Sequence, residues 1–309
     1  VFNRFILITI LCVLSSLKAH SEELFWSSVQ SLEQAQKLNL PELLVPSRNL
    51  QLKHHSKKTN CVAVVFHGLF QSPKDMQTLI NYFYNKQCNV VAPLLTGHWR
   101  KDSRSFNKIN YTDWKNQGLS TLEKAKEIGD KIIIVGHSTG GLLALSLALE
   151  YSSTYNITGL VLFSPALKLK THVQLFSKLG SLFNLNTNTS ATSEYEMQIR
   201  PAIAGLHVQN FINSIFQNDE QRLDIYKSLR VPTLLISTQN DSTIEHSEVI
   251  KMQASNPHLF KLISYNKKSP IQHDNIQRTP LDLEVNAPKE WSNPYFDQIL
   301  LEIEKTWDY

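Results

Sequence analysis

The sequence predicts an α/β fold: a mostly parallel central sheet with helices on both faces and a small helical cap inserted into it. Three observations predict it. From Cys61 onward, short apolar runs without polar alternation, such as CVAVVFHG and KIIIVGHS, suit strands covered on both faces. These runs alternate with helical stretches, which implies parallel strands joined by crossover helices. One glycine-rich turn, GHSTGG, joins a buried-strand pattern at 131–135 to a strong helix former at 142–149.

Composition agrees with a folded globular chain. Of 309 residues, 42% are hydrophobic and 19% charged, which excludes a disordered chain. A chain of this length buries enough of its surface to keep a cleft. The formal net charge of +4 is spread without a basic run, so no nucleic-acid partner is expected.

The elements follow in order. Arg4 precedes an apolar run from Phe5 to Leu17, and small residues stand at Ala19 and Ser21 in the arrangement a signal peptidase prefers. This run of thirteen residues falls short of the roughly 20 that span a bilayer as a helix. Residues 1–21 are therefore read as a signal peptide, which makes the protein secreted or periplasmic. Residues 22–59 form a lead-in segment, with an amphipathic helix over 22–45, ended by Pro41 and Pro46, and an edge strand at QLKHH. Residues 60–309 form the α/β domain. Its alternation runs CVAVVF, DMQTLINYFYNK, NVVAPL, YTDWKNQGLSTLEKAKEIG, KIIIVG, GGLLALSLALEY and ITGLVLF, then resumes at VPTLLIST, HSEVIKMQAS and HLFKLISY. The interval 168–228 breaks the rhythm with LFSKLGSLFNL, the polar tract NTNTSATS and IAGLHVQNFINSIF, and reads as a helical cap. A closing helix ends the chain at WSNPYFDQILLEIEKTW. Cys61 and Cys88 each begin an apolar run; if those strands are parallel neighbours, the pair would form a disulfide in an oxidising compartment, and otherwise they are two buried thiols.

The chemistry centres on Gly136-His137-Ser138-Thr139-Gly140, a G-x-S-x-G motif in the strand–turn–helix setting of a nucleophile elbow. A serine at such a bend is exposed at the sheet's edge, and the flanking glycines give the room the bend requires. The helix beginning beyond it aims N–H groups at developing negative charge. A tetrahedral intermediate needs two N–H donors; Thr139, after the nucleophile, and Leu69, in the loop after VVFHG, are the candidates. His67 in that loop reads as a scaffold residue. Asp241 follows the strand VPTLLIST, and His273 follows the strand HLFKLISY, in the chain order serine, acid, histidine. Asp219 and Asp224 lie on a helical stretch and read as solvated charges, while His246 and His258 would sit at the wrong ends of their elements.

With these residues in hand the sequence resembles the α/β-hydrolase superfamily, and within it the monoacylglycerol lipase and bacterial carboxylesterase branch of the serine aminopeptidase S33, or Hydrolase_4, type. The resemblance covers about 60–307 and rests on VVFHGLFQSP, VAPLLTGH, YTDW, IVGHSTGG and TLLISTQNDSTI. It implies Ser138 as nucleophile, Asp241 as acid, His273 as base, Leu69 and Thr139 as the oxyanion hole, and chemistry without metal or cofactor. Two departures stand out. Gly97-His98-Trp99 replaces Gly-His-Gly, a bulkier loop expected to narrow the mouth. Ser269-Pro270-Ile271-Gln272-His273 replaces Ser-Gly-His.

The function expected is a serine-dependent carboxylic ester hydrolase acting on a small ester or lipid such as a monoacylglycerol or lysophospholipid, with transient contact at a membrane surface. Phe70, Trp99 and Trp114 near the mouth, and Phe176, Leu179, Phe183 and Phe211 in the cap, would suit an acyl chain. A peptidase or amidase, or a thioesterase, could use the same triad. A non-catalytic binding protein on this scaffold would show a broken triad instead.

Overall fold

The computed structural model describes residues 2–39, 42–44, 49–102, 104–188, 199–279 and 292–307. Strand β2 (Thr59–Phe66) shows why an unbroken apolar run becomes a central strand. Val62, Val64 and Phe66 enter one core, while Cys61, Ala63 and Val65 enter another on the opposite face. Successive side chains point to opposite sides of a strand, so both faces can be apolar only when both are covered. The same division holds in β4 (Gly129–His137), where Ile132 and Ile134 face one core and Ile133 and Val135 the other.

Among the described residues these strands belong to a seven-stranded sheet. Its order is β1 (Gln51–Lys53), β3 (Asn89–Ala92), β2, β4, β5 (Ile157–Phe163), β8 (Thr233–Thr238) and β9 (Phe260–Tyr265). Only the edge strand β1 is antiparallel to its neighbour; the others pair in parallel. One face is covered by α2 (Gln77–Asn85) and α9 (Phe296–Thr306), through Leu79, Ile80, Phe83, Ile299 and Ile303. The other is covered by α1 (Phe2–Asn39), α3 (Tyr111–Ile128), α4 (Thr139–Tyr151) and α8 (His246–Ser255). Helix α3 starts where Asn110 accepts the N–H of Thr112 at 2.7 Å and Asp113 accepts that of Asn110 at 2.8 Å, a reciprocal cap.

Cys61 and Cys88 are joined in a disulfide with their Cα atoms 4.8 Å apart. The reason is the parallel pairing of β2 with β3, in which Val62 lies opposite Asn89. The helix expected over 22–45 ends at Asn39, and Leu43 instead bridges to Arg100. Among the described residues no helix is long and apolar enough to cross a membrane.

The interval after β5 contains α5 (Thr171–Leu182) and α6 (Ala202–Ile215), which pack together, and a two-stranded ribbon of β6 (Asn186–Asn188) with β7 (Ile199–Pro201). The tract NTNTSATS lies outside the described residues beyond Asn188. Helix α7 (Asp219–Ser228) sits on α8, where Tyr226 donates to Glu248 at 3.2 Å.

From β2 the chain first adds β3 on one side, then crosses to add β4, β5, β8 and β9 on the other. The loops leaving β2 and β4 therefore diverge, and a crevice opens at the carboxyl ends of these strands.

Candidate active site

Strand β4 ends at His137, and Ser138 bends the chain into α4 with φ +52° and ψ −114°. A non-glycine residue at positive φ is strained and holds only where surroundings fix it. Here the Ser138 N–H donates to Phe163 O at 2.9 Å, and its carbonyl accepts from Leu142 and Ala166, both at 3.0 Å. The glycines on either side permit the approach. A Cβ at Gly136 would lie 2.4 Å from Gly140 O, and one at Gly140 would lie 2.3 Å from Phe66 O.

The serine, the acid and the histidine come together. His273 Nε2 is 2.9 Å from Ser138 Oγ, and His273 Nδ1 is 2.7 Å from Asp241 Oδ2. A carboxylate only accepts, so Nδ1 carries the hydrogen and Nε2 is left to accept from the serine hydroxyl. Asp241 follows β8 and is held by the N–H groups of Thr243 at 2.9 Å and Ile244 at 2.7 Å, both on Oδ1. Burial alone would raise its carboxyl pKa. The charge of His273, the hydrogen bond to it and the two N–H donors overcome that and hold the group at about 2. Burial likewise pushes His273 down, but the Asp241 carboxylate, by charge and hydrogen bond, raises it above the ordinary 6.5.

The loop carrying His273 accommodates Pro270 and Ile271 by burying Ile271 completely in the core. Thr238 donates to Ile271 O at 2.8 Å and Asn240 to Ser269 O at 2.6 Å, which ties this loop to the one carrying Asp241. The other acids and histidines go elsewhere. His246 engages Ser237 at 2.8 Å, His258 is exposed before β9, and Asp219 pairs with Lys168 and Arg222. Asp224 is exposed on α7.

Leu69 and Thr139 line one cavity with Ser138 and His273. Thr139 begins α4, so its N–H has no acceptor within the helix. The loop bearing Leu69 is fixed by side chains. His67 accepts the Leu95 N–H at 2.9 Å on Nε2 and donates to Gly68 O at 2.8 Å from Nδ1. With both nitrogens used and burial pushing it down to about 4, His67 is a neutral scaffold. Gln71 Oε1 accepts from Gly68 N at 3.0 Å, and Trp99 donates to Gln71 O at 3.0 Å.

Trp99 thus corrects an expectation. It is buried, lies outside the cavity wall and braces the loop from behind instead of narrowing the mouth. Trp114 and Phe211 are also core residues, the latter stacked on Tyr111, and Leu179 and Phe183 face solvent. Phe70 and Phe176 do line the cavity, with Leu169, Val173 and Val208; Arg200 and Asp274 are its charged members. Its volume is about 220 Å³. Gln71 and His137 hold the site together, yet neither carried a sequence signal of its own. Among the described residues no group of three His, Cys, Asp or Glu side chains could hold a metal ion.

Residues 57–268 match the Hydrolase_4 family, described as serine aminopeptidase, S33. No curated protein matches the chain in sequence. Among solved structures, a monoacylglycerol lipase of Paleococcus ferrophilus is similar at 17% identity and TM-score 0.60, over 84% of this chain and 98% of that one. A soluble variant of monoglyceride lipase from Saccharomyces cerevisiae, in complex with a substrate analog, is similar at 15% identity and TM-score 0.63, over 84% and 91%. MenH from S. aureus is similar at 18% identity and TM-score 0.55, over 83% and 98%. At these identities the likeness is one of fold.

Proposed function

The chain belongs to the Hydrolase_4 family of serine hydrolases, and from that premise we propose that it hydrolyses carboxylic esters of acyl chains, of monoacylglycerol or lysophospholipid type, through Ser138, His273 and Asp241. The observation that carries this reading is the continuous chain of contacts from Asp241 through His273 to Ser138, at 2.7 and 2.9 Å, opening on an apolar cavity.

A serine hydroxyl is a poor nucleophile until a base removes its proton during attack. His273 takes that proton through Nε2 as Oγ bonds to the ester carbon. Asp241 holds the ring in the right tautomer and stabilises the imidazolium. The carbonyl oxygen becomes an oxyanion, which the N–H groups of Leu69 and Thr139 receive; one such donor is worth ~3 kcal/mol. His273 then protonates the departing alcohol, leaving an acyl-enzyme. Water, activated by the same imidazole, releases the acid and restores the serine.

Leu169, Val173, Phe176 and Val208 favour an acyl chain. The exposed Leu175, Phe176, Leu179 and Leu182 on α5, with Phe183 just beyond, support transient contact of the cap with a lipid surface. The Cys61–Cys88 disulfide supports an exported protein with residues 1–21 removed. The same features favour assigning 60–309 to the hydrolase domain, with 22–59 as its lead-in and 168–228 as the cap.

One feature favours a second reading. Asp274 gives the cavity a carboxylate that could meet a substrate ammonium, as an aminopeptidase requires. A panel of p-nitrophenyl esters of two to sixteen carbons, set against amino-acid p-nitroanilides, separates the two. Ester turnover that disappears in Ser138→Ala is expected; anilide turnover exceeding that of every ester would overturn the ester reading.

A further inference from the structure

One buried ring touches both loops on which the reaction depends. His137, the last residue of β4, is fully buried. Its Nε2 lies 3.0 Å from the main-chain oxygen of His273, and its Nδ1 lies 2.7 Å from Gln71 Oε1. The carbonyl of His273 can only accept, so Nε2 carries a hydrogen. Gln71 Oε1 likewise only accepts, and it already takes the Gly68 N–H. A neutral ring therefore bonds the His273 carbonyl through Nε2 and touches Gln71 Oε1 without a shared hydrogen, whereas a protonated ring donates to both oxygens.

We infer that His137 is a positioning residue for the reaction at Ser138, clamping the loop that presents His273 to the loop that presents the Leu69 N–H. The inference rests on the triad reading above. Three observations support it. Gln71, the partner on one side, also holds the Gly68 N–H at 3.0 Å, one residue from Leu69. Gly68 keeps the space for this clamp, since a Cβ there would stand 2.7 Å from both His137 Nδ1 and Gln71 Oε1. Finally, burial, and then the positive charge of His273, keep His137 well below the ordinary histidine range. The ring therefore stays neutral when its neighbour takes the serine proton.

The same two segments are joined farther from the serine by Arg278 on Asp75 at 2.9 Å and by Thr78 with Thr279 at 2.6 Å. Those ties maintain the fold, and His137 sets the register at the reacting end. Loss of its ring nitrogens should therefore reach the rate before it reaches stability.

The test uses the full enzyme and three variants. His137→Phe keeps a ring and removes both contacts. His137→Gln places an NH2 near the position of Nε2, and Gln71→Leu removes the oxyanion-loop partner alone. The rate of labelling by a fluorophosphonate probe is read beside kcat, KM and thermal melting. A misplacement of about 1 Å can cost ~100-fold in rate. We therefore expect His137→Phe to label about 30- to 100-fold more slowly and to lose kcat in proportion, with KM little changed. His137→Gln should recover at least about fivefold of that loss. Labelling of folded His137→Phe within threefold of the parent would overturn the inference. If that variant does not fold, Gln71→Leu decides: slowing of about tenfold supports the clamp and an unchanged rate overturns it. A parent that labels but hydrolyses no acyl ester contradicts the substrate class proposed above and leaves the labelling rates to judge the clamp. A parent that neither labels nor hydrolyses contradicts both.

Discussion

At Ser138 a hydroxyl, an imidazole and a carboxylate share two hydrogen bonds, and the pH response follows from which of them holds a proton. His273 must be neutral to accept the serine proton, and its pKa is raised above the ordinary 6.5, so kcat/KM should fall as pH drops through a midpoint above that value. In Asp241→Asn the larger raising charge is gone, and the smaller one of Asp274 is left against the lowering effect of burial. The acid limb should then move to lower pH, and kcat should fall about 10³- to 10⁴-fold. A pH–rate profile of both proteins checks this; an acid limb that stays in place would show that Asp241 does not govern the base. Gly140→Ala tests the elbow itself. The new methyl would meet the main-chain oxygens of Phe66 and His67 at 2.3 and 2.5 Å, which a backbone cannot yield cheaply. A destabilisation of about 2–3 kcal/mol with loss of labelling is expected in urea melts and probe assays; a fully active, equally stable variant would contradict the geometry. Ser138 was legible because its motif is local, and Asp241 and His273 because each follows a strand in the expected order. Gln71 and Trp99 were not. Their role comes from the meeting of loops 28 residues apart, which no local pattern records.

The strands of the sheet were legible as elements because a doubly covered strand must be apolar on both faces, and β2, β4, β5 and β8 are buried almost throughout. Short elements were not. The ribbon of β6 and β7 has three residues in each strand, too few for any periodicity to appear. The aromatic residues assigned to the mouth were misread in part for a related reason. Trp114 lies on the buried face of α3, and composition alone cannot say which face of a helix turns inward. The Cys61–Cys88 bond joins neighbouring strands across 27 residues of chain. A cross-link of that span restricts the unfolded chain by roughly 3–4 kcal/mol. Replacing both cysteines by alanine should lower the unfolding free energy by about that amount in urea titrations, while probe labelling of the folded protein persists. An unchanged midpoint would show that the bond adds nothing to stability.

Across the whole molecule, the sheet's change of direction between β2 and β4 brings residues 69, 138 and 273 to one crevice, with Asp241 buried behind His273. That convergence was legible from the order of strands and motifs. The shape of the cavity was not, because the cap contributes Val173, Phe176, Arg200 and Val208 through packing between α5 and α6. At the other end, α1 anchors through Phe25, Val29 and Leu32, whereas residues 18–24 are exposed. A protein lacking residues 1–21 should therefore melt within about 2 °C of the full chain. A fall greater than about 5 °C would mean that the segment is part of the fold. The proposed reaction depends on one oxygen, Ser138 Oγ, becoming covalently bonded to the substrate's carbonyl carbon. Peptide mapping by mass spectrometry after fluorophosphonate treatment reads that oxygen directly. The adduct is expected on Ser138 alone, and to vanish on unfolding or in Asp241→Asn at short times; an adduct on another residue, or none on the folded protein, would contradict it.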